Sequence, residues 1–80
     1  AQKLGDVKLT HSTDLAVSIR EIRGRLGLTQ EKFAAKLGVT LPTINRWENG
    51  RTRPSPLAMH RLRELVAGLG EKGNDLLVRL

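Results

Sequence analysis

The stretch from residue 30 to residue 49, QEKFAAKLGVTLPTINRWEN, constrains the fold of this chain more than any other. Apolar residues lie three and four positions apart on both sides of a glycine: Phe33, Ala34 and Leu37 before it, Ile44 and Trp47 after it. Residues at this spacing share one face of a helix. The pattern predicts two short helices joined by a turn at Gly38. Neither helix can bury much surface alone, so both need the remainder of the chain.

Start and stop signals flank both predicted helices. Thr29 can cap the first helix and Gly38 can end it, because glycine readily adopts a positive φ. Thr40 can cap the second helix, and Pro42 falls in its first turn, where the missing N–H is harmless. The pair Asn49-Gly50 suits its C-terminal end. Two short helices joined by a tight turn form a helix-turn-helix motif.

The sequence before this motif predicts one further helix. Ser12, Thr13 and Asp14 resemble a helix start, and an apolar stripe follows up to Gly27, which suits a left-handed cap: Leu15, Ile19, Ile22 and Leu26. Gly24 either allows a close approach by a neighbour or weakens the end of this helix. Residues 1–11 have no helical period, which favours a loose terminus or a short extended N-terminal arm.

After the motif, Ser55-Pro56 signals the start of a fourth helix, which carries the apolar stripe Ala58, Leu62, Leu65, Val66 and Leu69. Residues 71–80 predict a fifth helix capped by Asn74, or a dimerisation segment. We therefore expect an all-α protein, a compact bundle of four to five short helices around a central helix-turn-helix. Residues 12–70 would form this helix-turn-helix domain.

The composition limits the class of protein. Eighty residues, 39% of them hydrophobic, are enough for one small globular domain. The absence of cysteine excludes disulfides and thiolate metal sites. No apolar run approaches the roughly 20 residues that cross a bilayer, and no signal-peptide pattern is present. These features favour a cytoplasmic protein without a membrane partner.

The charge favours a polyanionic partner. The net charge is +6 and the isoelectric point is about 10.9. Positive residues are concentrated in and after the second helix of the motif, with Glu48 as the only acidic residue between position 41 and position 63: Arg46, Arg51, Arg53, Arg61 and Arg63. Nucleic acid is the first candidate partner and an acidic membrane surface the second.

Residues 30–49 resemble the Cro/Xre-type helix-turn-helix family, which includes phage repressors and many bacterial regulators. The resemblance rests on residues with clear physical roles and extends over roughly residues 15–69: Gln30 at the opening, Ala34 at the helix crossing, Gly38 at the turn, buried Ile44, and the closing Trp47-Glu48-Asn49-Gly50. It implies a fold similar to that of lambda repressor, with the second helix of the motif in the major groove of DNA.

The outward residues of this second helix are the candidates for reading bases: Leu41, Pro42, Asn45 and Arg46. Arg46 can make bidentate contacts to guanine and Asn45 to adenine. The family often has a hydrogen-bonding side chain at the first recognition position, whereas this chain has Leu41 followed by Pro42. These two can contact a thymine methyl group, so hydrogen-bonded readout is expected from Asn45 and Arg46.

Phosphate contacts are expected from the edges of the motif and the basic loop that follows it: Gln30, Thr40, Thr43, Asn49, Arg51, Thr52 and Arg53. For Gln30, the role is also implied by the family resemblance. Arg23 and Glu48 resemble an ion pair that joins the first helix of the family fold to the end of the recognition helix. We expect this pair to be mainly structural.

Sequence features of an enzyme are lacking. His11 and His60 lie far apart and have no evident carboxylate partners, and there is no nucleophile–histidine set, metal-spaced cluster or glycine-rich phosphate loop. We therefore expect a non-enzymatic protein without a metal or a cofactor.

The resulting hypothesis is a sequence-specific regulator of transcription that binds double-stranded DNA, with repression as the expected effect. It would act as a homodimer, because one short helix reads few bases. The expected dimer surface comprises apolar residues near the C-terminal end: Leu69, Leu76, Leu77 and Leu80. The motif also resembles antitoxins, which bind DNA and a toxin protein. An interaction module that binds a protein and no DNA is the alternative from another class.

Overall fold

The computed structural model describes the backbone of residues 2–80 and the side chains of residues 14–80. Its helices are α1 (Gln2–Leu26), α2 (Gln30–Leu37), α3 (Leu41–Glu48), α4 (Pro56–Ala67) and α5 (Asn74–Arg79), with a 3₁₀ turn (Gly70–Gly73) before α5. No strand occurs within residues 2–80. The predicted all-α fold with a central helix-turn-helix is confirmed.

The first helix is longer than the sequence predicted. Its backbone is helical from Gln2, so the predicted start at Ser12 is wrong, and residues 2–11 do not form the extended arm that the sequence allowed. A cap signal such as Ser12 to Asp14 permits a helix to begin but does not oblige it to. The preceding residues contain no proline and only one glycine, Gly5, so nothing there interrupts a helix. The side chains of the predicted arm lie outside the described residues.

The predicted caps of α2, α3 and α4 are confirmed. The hydroxyl of Thr29 accepts from the N–H of Lys32 at the start of α2, and Ser55 accepts from Ala58 at the start of α4. Gly27 and Gly38 have φ values of 69° and 73°, as expected for left-handed caps. Asn74 is the exception among these predictions, because it is the first residue of α5 and follows the 3₁₀ turn without capping the helix through its side chain.

One hydrophobic core joins all five helices. It consists of Leu15, Ile19 and Ile22 of α1, Phe33, Ala34 and Leu37 of α2, Ile44 and Trp47 of α3, Ala58, Leu62 and Val66 of α4, and Leu76 of α5. The predicted apolar stripes thus face inward. Phe33 and Trp47 are both buried, so their aromatic rings stabilise the core and are not available to stack on bases.

One residue of the predicted dimer surface, Leu76, is not at the surface. Its side chain is completely buried in the core of its own chain, so it cannot contact a second copy. Leu77 and Leu80 are half-buried against the same core, and Leu69 is also half-buried. The spacing of the apolar residues 76–80 shows that they share one face of a helix. It does not show whether this face packs against the same chain or against a second copy.

Candidate nucleic-acid interface

The turn between α2 and α3 is held by backbone hydrogen bonds. At its positive φ, Gly38 donates to the carbonyl of Ala35, and Val39 donates to that of Ala34. Thr40 then caps α3 by accepting from the N–H of Thr43 at 3.3 Å. These bonds leave little freedom in the short connection, so α3 has a defined orientation on the body formed by the other helices.

The four residues predicted to read bases lie on the solvent face of α3. Leu41, Pro42, Asn45 and Arg46 are all exposed, while Ile44 and Trp47 on the opposite face are buried. The side chain of Leu41 is 43% exposed, which is unusual for leucine in so small a domain. The structure therefore confirms that these four side chains share one accessible surface, which we call the reading face.

Two threonines form the N-terminal edge of this face. The hydroxyls of Thr40 and Thr43 lie 2.8 Å apart and hydrogen-bond to each other. Thr40 is exposed and Thr43 half-buried. Both lie at the N-terminal end of α3, where the positive end of the helix dipole attracts an anion such as a phosphate.

The basic loop after α3 forms the other edge. Arg51, Thr52 and Arg53 are fully accessible, whereas Pro54 is buried and holds the end of the loop against the body. The N–H of Arg51 donates to the carbonyl of Arg46 at 2.9 Å, so the loop leaves α3 in a defined direction. Exposed guanidinium groups on a fixed loop are well suited to phosphate contacts.

Glu48 is the centre of a hydrogen-bonded cluster behind the reading face. The predicted ion pair is confirmed: Arg23 Nε lies 2.7 Å from Glu48 Oε2, and Arg23 Nη2 lies 3.1 Å from Oε1. Arg23 Nη1 also donates to the carbonyl of Leu28. Only 3% of the Glu48 side chain is exposed. Its carboxylate accepts hydrogen bonds from Arg23 and so raises the pKa of that guanidinium. The pair connects α1 to the end of α3.

Gln30 belongs to the same cluster. Its side-chain amide donates to Glu48 Oε1 at 3.0 Å. The sequence predicted a phosphate contact from this amide, but one of its N–H groups is already used inside the protein. The second amide N–H and the N-terminal end of α2 remain available to a phosphate. The phosphate contact of Gln30 therefore stays a prediction, with one side-chain donor fewer than expected.

Asn49 also differs from its predicted role. Its Nδ2 donates to both the backbone carbonyl and the side-chain oxygen of Asn45, each at 2.9 Å. Both hydrogens of the Asn49 amide are therefore used within α3 and its cap. In this conformation the side chain offers only an oxygen to the outside, and an oxygen cannot donate to a phosphate.

Arg61 is a positioning residue. The sequence shows it as one of the positive charges after the motif but does not predict a role for it. From α4 it donates to the carbonyl of Leu37 at 3.0 Å, at the C-terminal end of α2. A cation there satisfies a free carbonyl and the negative end of the helix dipole. Its partner lies 24 residues away in the sequence, so no local signal indicated the contact.

The geometry defines a helix-turn-helix protein in which the exposed reading face of α3 is followed by a basic loop. Two further features are compatible with this class. None of the helices within residues 2–80 has both the length and the apolar character needed to span a membrane. Among the side chains that the structure describes, no group of His, Asp or Glu is arranged to hold a metal ion.

Comparison with known proteins identifies the family. The family model described as "Helix-turn-helix" matches residues 19–66, which include α2, α3, the C-terminal third of α1 and most of α4. The chain belongs to this helix-turn-helix family, and the Cro/Xre-type resemblance of the sequence is confirmed.

Curated relatives carry related names. An uncharacterized HTH-type transcriptional regulator of Methanothermobacter thermautotrophicus is 52% identical over 44 residues, which cover 55% of this chain and 64% of the relative. The uncharacterized HTH-type transcriptional regulator YiaG of Escherichia coli K12 is 33% identical over 61 residues, covering 76% of this chain and 64% of YiaG. The chain thus spans somewhat less than two thirds of both relatives.

A methyltransferase shares part of the same sequence. The type II methyltransferase M1.ScrFI of Lactococcus lactis subsp. cremoris is 44% identical over 48 residues, but the match covers only 12% of that enzyme. The similarity therefore concerns one short segment of the methyltransferase and not the enzyme as a whole. No solved structure gives a significant match.

Proposed function

We propose that this chain is a sequence-specific, double-stranded DNA-binding domain of a transcriptional regulator, and that it is not an enzyme. The observation that carries the proposal is the reading face: Asn45 and Arg46 are exposed on a short helix that two buried residues and an ion pair hold in place. Both relatives named above are called HTH-type transcriptional regulators, which supports this assignment.

In the proposed complex, α3 enters the major groove. Arg46 would donate to the O6 and N7 atoms of guanine, and Leu41 would contact a thymine methyl group. Arg51 and Arg53, with the hydroxyls of Thr40, Thr43 and Thr52, would contact phosphates on either side of the groove. The phosphate contacts fix the register of the helix, while the base contacts provide specificity.

We further propose that the chain acts as a homodimer and represses transcription. Eight residues of α3 read too few base pairs for useful specificity, and two copies related by a two-fold axis would read both halves of a symmetric site. The predicted dimer surface is retained without Leu76, which leaves Leu69, Leu77 and Leu80 near the exposed Val78.

Selection of binding sites from random duplex DNA tests this proposal. We expect an enriched sequence with two-fold symmetry and half-sites about one helical turn, or 34 Å, apart. An enriched sequence without symmetry would refute the dimer and leave the DNA-binding role intact. Failure of the chain to bind duplex DNA at low salt would refute the DNA-binding role and favour the protein-interaction module.

The antitoxin hypothesis predicts a second partner. An antitoxin would bind its own operator and also a toxin protein, so a small toxin would co-purify with the chain when both are produced in the native cell. The motif from Trp47 to Ser55 is the sequence feature that supports this alternative. Recovery of the DNA-binding chain without such a protein would favour the simple regulator.

A further inference from the structure

The C-terminal end of α3 contains an amide pair one helical turn apart. Asn49 Nδ2 lies 2.9 Å from the backbone oxygen of Asn45 and 2.9 Å from Asn45 Oδ1. Both residues are exposed, so neither amide is held there by burial. Hydrogen bonds between polar side chains four residues apart are a known stabilising contact on helix surfaces. Here one of the two residues belongs to the reading face.

Chemistry fixes the orientation of both amides. The backbone carbonyl of Asn45 can only accept, so Asn49 must present its NH₂ group and not its oxygen to it. The same NH₂ group also faces the side chain of Asn45, which must therefore present Oδ1. The oxygen and nitrogen of a side-chain amide are usually hard to distinguish. Here the backbone carbonyl of Asn45 can only accept, so it determines the orientation of both amides.

This orientation determines what Asn45 offers to DNA. An amide is planar, so Oδ1 and Nδ2 lie on opposite sides of its carbon atom. The bond from Asn49 occupies one of the two lone pairs of Oδ1 and turns this oxygen toward Asn49. The end of the amide directed away from Asn49, and offered first to a base, is therefore the Nδ2 donor. Bidentate reading of adenine needs both atoms at once, the nitrogen for N7 and the oxygen for the N6 amino group.

We propose that Asn49 is a positioning residue that makes Asn45 a donor-only reader, selective for a keto base. Guanine presents the O6 and N7 acceptors in the major groove and thymine presents O4, whereas cytosine presents only a donor and adenine a donor beside its N7. The inference rests on the proposed DNA-binding function. It replaces both sequence predictions for the pair, adenine contact by Asn45 and phosphate contact by Asn49.

Binding-site selection with four proteins tests the inference: the wild type, Asn45→Ala, Asn49→Ala and Asn49→Asp. The position read by Asn45 is defined as the one at which Asn45→Ala loses its base preference. Asn49→Ala releases the amide. Asn49→Asp places two acceptors beside Asn45, which turns Nδ2 toward the carboxylate and exposes Oδ1 as an acceptor.

We expect three different outcomes at that position. The wild type should accept guanine and thymine alike on one strand and prefer both over adenine and cytosine by about fivefold or more. A bidentate reader of adenine would instead select a single base pair. Asn49→Ala should reduce this preference below about twofold, because the amide can then rotate. Asn49→Asp should reverse the preference to the amino base of the same strand, cytosine or adenine. The reversal is visible in the selected sequences without knowledge of which strand Asn45 contacts.

The results separate this inference from the proposed function. If the wild type enriches a sequence but both Asn49 variants keep its preference at every position, Asn49 does not position Asn45 and the inference is wrong. If Asn45→Ala changes no position, Asn45 reads no base and the inference is also wrong. If the wild type enriches no sequence, the proposed function itself fails. Thermal melts followed by circular dichroism check that each variant is folded.

Discussion

At the residue scale, Glu48 is the side chain on which the position of α3 most depends. It is almost fully buried, and its carboxylate accepts from both Arg23 and Gln30. If a buried acceptor is removed, its donors are left without partners. The free-energy cost is then larger than the net contribution of the hydrogen bond to stability. The Arg23 side chain is 26% exposed, so water can recover part of that loss.

We expect Glu48→Ala to lower the free energy of unfolding by about 1–3 kcal/mol. The control is Glu64→Ala, since Glu64 is exposed on α4 and lies near only His60, at 3.4 Å. This control should be close to neutral, because exposed pairs contribute little. Urea titration of both variants measures the difference, and equal stabilities would show that the Glu48 cluster is not important for folding.

Two arginines should separate specificity from affinity. Arg46 lies on the reading face and Arg53 in the basic loop, and both are exposed. Arg46→Ala should reduce the preference for the selected site over random DNA, by about 1–3 kcal/mol. Arg53→Ala should weaken binding to both duplexes by the same factor. Fluorescence anisotropy with the two duplexes gives this ratio, and an unchanged ratio in Arg46→Ala would place Arg46 outside the recognition surface.

At the scale of elements, the glycines of α1 and of the turn behave in opposite ways. Gly38 has a φ of 73°, and a Cβ atom there would lie 2.7 Å from Arg61 Nη1. Alanine would therefore strain the backbone and displace the guanidinium from the end of α2. Gly24 lies within α1, where a Cβ atom would meet nothing within 4 Å. Of the two explanations considered for Gly24, the close approach of a neighbour is excluded.

We expect Gly38→Ala to destabilise the fold by about 1–2 kcal/mol. Gly24→Ala should stabilise it by about 0.5–1 kcal/mol, because alanine loses less conformational entropy in a helix. Melting temperatures measured side by side test both signs. A stabilised Gly38→Ala variant would contradict the turn geometry described above.

Charged residues connect α1 to α5. Arg25 makes a bidentate pair with Asp75, with distances of 2.6 and 2.8 Å, and Arg79 donates to Glu21 at 2.8 Å. The hydrogen bonds from Arg25 lower the pKa of Asp75 to about 2, and that from Arg79 lowers the pKa of Glu21. Carboxylates with lowered pKa values stabilise the folded state above their unfolded pKa and lose this effect on acidification.

The stability of the fold should therefore decline as the pH falls from about 4 toward 2, where Asp75 becomes protonated. Asp75→Asn removes the titrating group, so we expect a lower melting temperature at neutral pH and a shallower decline with acid. Glu71→Gln, on the exposed 3₁₀ turn, is the control and should follow the wild type. If the Asp75→Asn and wild-type curves run parallel between pH 4 and pH 2, the pair contributes nothing to acid sensitivity.

The sequence predicted those elements whose signals are local. Thr29, Thr40 and Ser55 each cap the helix that they precede, and the sequence assigns the apolar stripes before residue 70 to the correct faces. The predicted start of α1 at Ser12 is too late, because a cap signal permits a helix to begin at that residue but does not require it. The Arg25–Asp75 pair was missed because 50 residues separate its members. The Arg23–Glu48 pair, whose members are 25 residues apart, is predicted only through the family resemblance.

The candidate site was predicted less completely than the fold. Spacing alone placed the four base-reading candidates on one exposed face, because burial of Ile44 and Trp47 determines which side of α3 is free. The sequence does not predict the hydrogen bonds that Gln30, Asn45 and Asn49 make within the protein. Asn45 and Asn49 are four residues apart, a spacing that favours a side-chain pair, but both were interpreted as contacts to DNA. The division of the chain into residues 1–11, 12–70 and 71–80 stays a prediction.

At the scale of the whole molecule, the net charge of +6 and the exposed arginines beside α3 make a polyanion the expected partner. If each subunit neutralises about four to six phosphates, binding releases a corresponding number of counterions. This electrostatic contribution is common to all DNA sequences. It distinguishes a DNA-binding domain from a basic module that binds only a protein.

The central claim is that the surface formed by α3 and the basic loop binds duplex DNA. The most direct test is the affinity for a random duplex, measured by fluorescence anisotropy over a range of salt concentrations. We predict a linear fall of log K with log salt and a slope of about −4 to −5 per subunit. In the variant Arg51→Ala/Arg53→Ala, the slope should be smaller by about 2 units. No binding of the wild type at low salt, or a slope that the double variant leaves unchanged, would contradict the claim.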